Sequence, residues 1–114
     1  MAKVMISEKL RDEIFKKFKS ESRKIFDLMH SLEENPYKGK ALGNVGGIII
    51  KELKYESFRF YFITDGYKLK LMDKDKLIDL LIRFVRMSDK KHQQQIISEI
   101  KTILLNFGIQ GFLN

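Results

Sequence analysis

The chain has no cysteine and a single proline among its 114 residues. Without cysteine there are no disulfides and no thiolate metal ligands, a usage that fits an intracellular protein. Two histidines, His30 and His92, do not make a metal site by themselves, and no clustered carboxylates join them to hold zinc or magnesium. No apolar run approaches the roughly 20 residues that cross a bilayer. Glu8, Arg11, Asp12 and Glu13 interrupt the N-terminus too early for a signal core. The expectation is a soluble, cytoplasmic protein without a cofactor. Other absences narrow the chemistry. There is no Gly-x-Ser-x-Gly nucleophile elbow and no carboxylate pair that stands out for glycosidase-like work. Asp73-Lys74-Asp75-Lys76 lacks the later ligands and the glycine of a calcium loop. Gly39, Gly43, Gly46 and Gly47 form no phosphate loop, because such loops open a helix and these glycines precede Ile48-Ile49-Ile50, a strand. Residues 37–47 read as a flexible connector with turns, from which Lys38 and Lys40 can reach a phosphate.

What is present is positive charge. Lys and Arg number 22 against 15 Asp and Glu, a net of +7. Residues 1–35 carry 8 against 7, whereas residues 36–114 carry 14 against 8. The excess in the later part points to an anionic partner, either nucleic acid or an acidic protein segment. At 44% hydrophobic residues the chain is long enough to bury a core and is expected to form one domain over residues 1–114.

Met1 to Ile6 reads as a short strand. Ser7 then caps a helix carrying Leu10, Ile14, Phe15 and Phe18 at helical spacing. The period breaks near Lys19. Ser20 or Ser22 can cap a second helix, with Ile25, Phe26, Met29 and Leu32 on its apolar face, ended by Pro36. Two such helices form a hairpin that needs a sheet to cover. Ile48 to Lys54 reads as a strand, followed by a turn at Glu56-Ser57. Phe58, Phe60 and Phe62 alternate with Arg59, Tyr61 and Ile63 in a second strand. The phenylalanines face a core, and Arg59 and Tyr61 share the other face; with Lys51 and Lys54 just upstream, they are expected to make a basic, aromatic surface suited to RNA. Asp65-Gly66 is a hairpin turn signal, and Tyr67 to Met72 reads as the return strand. Leu77 to Met87 fits a buried strand or a helix equally well. Ser88 or Asp89 can cap a last helix with Ile96, Ile97, Ile100, Ile103, Leu104 and Phe107 on its apolar stripe and Gly108 as its stop.

Cations with a few aromatic hydroxyls can bind RNA, or cut it without a metal. The ribose 2′-OH attacks the adjacent phosphate while a base takes its proton, an acid protonates the leaving 5′-oxygen, and cations stabilise the charged phosphorane. Clustered cations depress a lysine pKa and make it usable as a base.

Several phrases, in order, resemble the RelE/ParE toxin superfamily, closest to its HigB and phage-type branch. They are Asn35-Pro36-Tyr37, Lys40 with Leu42, Glu52-Leu53-Lys54, Phe58-Arg59-Phe60-Tyr61-Phe62, Asp65-Gly66, and Phe84-Val85-Arg86-Met87-Ser88, spanning about residues 3–107. The resemblance implies an α+β fold of RelE type: an N-terminal helical hairpin packed on a twisted antiparallel sheet, with residues 77–87 as the central strand and a C-terminal helix. It implies the toxin of a type II toxin–antitoxin system, a ribosome-dependent mRNA endonuclease held by an acidic antitoxin. The alternatives are a non-catalytic protein of the same fold that binds nucleic acid or protein, and a ParE-like gyrase inhibitor. Position by position, Lys54, Arg59 and Arg86 match the family's catalytic basic residues, with Arg59 expected at the scissile phosphate. On that reading, Arg59→Ala abolishes toxicity and leaves stability nearly intact. Lys51, Tyr61, Lys90, Lys91 and His92 are supporting RNA-binding candidates from the residues alone. Two departures stand out: Met87 replaces the second basic residue of the last strand phrase, and Tyr67 to Lys76 is extra, expected as an added hairpin beside the groove.

Overall fold

A computed structural model describes residues 2–113, apart from the side chain of Lys74. Five strands form one sheet: β1 (Lys3–Ile6), β2 (Lys40–Val45), β3 (Ile48–Tyr55), β4 (Phe58–Asp65) and β5 (Leu81–Asp89), in the order β1-β5-β4-β3-β2. The α+β class is as expected, but the sheet is mixed. Strands β2 to β5 pair antiparallel, whereas β1 runs parallel to β5 from Lys3–Leu81 to Ile6–Phe84. The helices α1 (Glu8–Phe18) and α2 (Ser22–His30) connect β1 to β2 and cover one face. Ser7 caps α1 by accepting from Leu10 N–H at 3.3 Å. Ser22 caps nothing; its buried hydroxyl donates to Ile14 O at 3.1 Å and ties the two helices together.

Both faces of the sheet are buried. Phe60, Phe62, Phe84 and Leu53 pack with Ile14, Ile25 and Met29 beneath α1 and α2. On the opposite face Ile50, Tyr61, Ile63 and Val85 pack with Ile97, Ile100 and Leu104 of α4 (Gln93–Phe107). Apolar residues on both sides of β4 follow from this three-layer arrangement. Leu77 to Met87 divides: Lys74–Asp79 is a 3₁₀ turn and Leu81 onward is strand.

Two local expectations are corrected. Residues 40–45 are not a flexible connector but the edge strand β2, joined to β3 by Gly46 and Gly47 at positive φ. Tyr67 to Met72 is not a return strand. Asp65 caps the short helix α3 (Gly66–Leu71), its Oδ1 accepting from Tyr67 N–H at 3.0 Å and Lys68 N–H at 3.1 Å. The extra segment is therefore helical, with Leu69 buried. The outer edge of β1 is also occupied: Ala2 N–H donates to Glu33 O and Val4 N–H to Glu33 Oε2, each at 3.2 Å.

Candidate nucleic-acid interface

The register of β3, β4 and β5 sorts the basic residues. Lys51 pairs with Phe62, so it lies on the α1–α2 face, opposite Arg59. Lys54 pairs with Arg59, and Arg59 with Ser88, giving a row across three strands on the α4 face. The next row is Glu52, Tyr61 and Arg86. The single basic surface expected from Lys51, Lys54, Arg59 and Tyr61 does not form.

Lys51 is 4% exposed; its Nζ donates to Tyr37 O at 2.9 Å and sits 5.8 Å from the Phe62 ring centre. Burial lowers its pKa below that of a free lysine. It anchors the segment before β2. Arg59 is 7% exposed, so it does not present a free guanidinium to a ligand. Its Nη1 donates to Ser57 O at 3.1 Å, while Nε makes no hydrogen bond and lies 3.9 Å from Glu52 Oε2. Glu52 is buried as well and accepts from Gln93 Nε2 at 3.5 Å, which links the pair to the first turn of α4. Tyr61 is buried, its hydroxyl 2.7 Å from Ser88 Oγ. Burial raises the phenol's pKa above the usual value, against the opposing effect of the Ser88 hydrogen bond, so Tyr61 stays a neutral hydroxyl.

Arg86 is directed elsewhere by a bulge. Tyr61 pairs with Arg86 but Phe62 pairs with Phe84, which leaves Val85 as the extra residue. Arg86 then bonds Glu99 Oε1 at 2.9 Å through Nε and lies 5.3 Å from the Phe112 ring centre. It fastens the C-terminal turn Gly108–Phe112 and lines a separate 410 Å³ cavity with Ser7, Asp12 and Phe112.

Lys54, Lys90, Lys91 and His92 are exposed. Of these, His92 has the most defined setting. It is the N-cap residue of α4, and its Nδ1 lies 2.8 Å from Asp89 Oδ1, which also accepts the His92 backbone N–H at 2.9 Å. These bonds lower the Asp89 pKa, the imidazole contact most of all. A carboxylate held ionised in this way fixes the ring and leaves Nε2 available. The expected capping role of Asp89 is thus spent on His92. A 340 Å³ cavity opens beside them between α1 and α4, lined by Glu13, Lys17, Phe58, Met87, His92 and Ile96.

Among the described residues no group of three metal-ligating side chains is present, and no helix is long and apolar enough to cross a membrane. Glu13, Lys17 and Gln93 carry no sequence signal as site residues, and Glu52 stands out only within the Glu52-Leu53-Lys54 phrase. Only the Asp89-x-x-His92 spacing carried a signal, and Asp89 reads equally well as a cap. No protein-family model, curated protein or solved structure matches the chain.

Proposed function

We propose that this chain is a metal-independent endoribonuclease of RelE/HigB type, acting on mRNA at the ribosome as the toxin of a toxin–antitoxin pair. The observation that carries the reading is the Asp89–His92 pair at the start of α4, immediately after the row Lys54–Arg59–Ser88. An oriented imidazole supplies what cleavage needs: it takes the proton of the 2′-OH, or returns one to the leaving 5′-oxygen. Attack closes a 2′,3′-cyclic phosphate and breaks the P–O5′ bond. Exposed Lys54, with Lys90 and Lys91 just before His92, supplies positive charge for the phosphate backbone. Arg59 acts from behind, holding Glu52 and through it Gln93 at the first turn of α4. The same exposed cations suit an acidic antitoxin segment.

The test is a reconstituted translation reaction with mRNA ends mapped by primer extension. New cuts at the ribosomal A site are expected, and His92→Ala lowers their rate by at least about 100-fold, the scale of one general acid–base group. Cutting that survives in His92→Ala removes the histidine from the mechanism. Intact mRNA with the wild-type protein sinks the endonuclease.

The buried Arg59 and the apolar Met87 favour a second reading, a non-catalytic RNA-binding protein. It is distinguished by salt-sensitive RNA binding with no product.

A further inference from the structure

We propose that the 340 Å³ cavity between α1 and α4 is a nucleobase pocket that selects guanine; its ligand class rests on the endoribonuclease reading. Phe58, Met87 and Ile96 supply an apolar floor for a flat heterocycle, and the depression, open to solvent on its Glu13, Lys17 and His92 side, has room for one base. Glu13 and Lys17 stand at i and i+4 on α1 and line the cavity side by side. Among the described residues Glu13 takes part in no ion pair, and the Lys17 ammonium is placed 4.9 Å from the Phe58 ring centre.

This pairing has a readable logic. An ionised carboxylate only accepts hydrogen bonds and an ammonium only donates them. The Watson–Crick edge of guanine offers N1–H and N2–H together, next to the O6 acceptor. Glu13 takes the two donors and Lys17 the acceptor. Adenine and cytosine present one amino group beside a ring-nitrogen acceptor, so the carboxylate loses one of its two bonds. Uracil presents a single N–H flanked by carbonyls that repel it. His92 lines the same cavity. A base seated there brings its own ribose and 3′-phosphate to the imidazole, and cutting falls beside guanosine.

The test titrates guanosine 3′-monophosphate and its adenosine, cytidine and uridine counterparts into the protein by calorimetry at low salt. The guanosine nucleotide is expected to bind about tenfold more tightly than the others, the scale of one bidentate base contact. Glu13→Gln, a change on an exposed helix face, abolishes the preference. Equal affinity for all four nucleotides, no binding, or a guanine preference unaltered in Glu13→Gln overturns the pocket. Guanine selection lost in Glu13→Gln, by a protein that leaves mRNA uncut, supports the pocket and overturns the endonuclease alone.

Discussion

A guanidinium that is 7% exposed, with its Nε unpartnered and a buried carboxylate 3.9 Å away, is held in place more by the cost of leaving than by the gain of staying. Removing Arg59 leaves the buried Glu52 carboxylate without its cation, with only the 3.5 Å contact from Gln93 Nε2 beside it. Breaking a buried pair from one side costs about 3–5 kcal/mol, whereas replacing both partners is often nearly neutral. Arg59→Ala is therefore expected to lower the urea-unfolding free energy by about that amount, and Arg59→Met with Glu52→Gln to recover most of it. A loss under about 1 kcal/mol for the single variant contradicts the buried pair. This reverses the expectation that Arg59→Ala leaves stability intact. The sequence shows the alternation of β4 and so places Arg59 opposite the phenylalanines, but alternation cannot reveal that α4 covers that face too. Loss of activity in Arg59→Ala then reports folding as well as chemistry, and His92 is the cleaner probe.

Elements differ in how much of themselves they write into the chain. The helices α1 and α4 and the strand β4 repeat their period long enough to be read directly. The segment 66–71 is too short for that. Its alternation of Lys and Leu mimics a strand, and Asp65-Gly66 serves a hairpin or a helix cap equally well, since aspartate satisfies backbone N–H groups in both. Asp65→Ala, which removes two acceptor contacts, is expected to cost about 1 kcal/mol and to speed amide exchange over residues 66–72 alone. Unchanged exchange there refutes the cap. Strand β2 is hidden by Gly43 within it and the glycines that flank it: an edge strand needs only backbone pairing with β3, and its half-exposed side chains leave little pattern. The parallel β1–β5 pairing joins residues 3–6 to residues 81–84, far apart in the chain, and has no local signature. At the site, Glu13 looks like any solvent-facing helix charge until α1 is laid against β5.

Over the whole molecule, charge is partly interior. Lys51 is the buried cation whose pKa is lowered by desolvation, so the folded chain binds that proton less tightly than the unfolded one. Stability at this residue is lowest below the folded value and rises with pH from there to the ordinary lysine value of 10.5. Wild type is accordingly expected to gain stability over Lys51→Met across that window in urea melts, with the opposing titration of Tyr61 cancelling in the comparison. A pH-independent difference rejects a buried, titrating Lys51. The two margins of the sheet are also unequal. Glu33 accepts the outward N–H of Val4 in β1 and that of Ala2 just before it, while among the described residues no strand lies beyond β2. Edge-to-edge addition of copies must therefore use β2. Two β2 margins that meet consume each other, so such growth stops at a pair, and a molecule with one guarded margin has no propagating end from which a filament could extend.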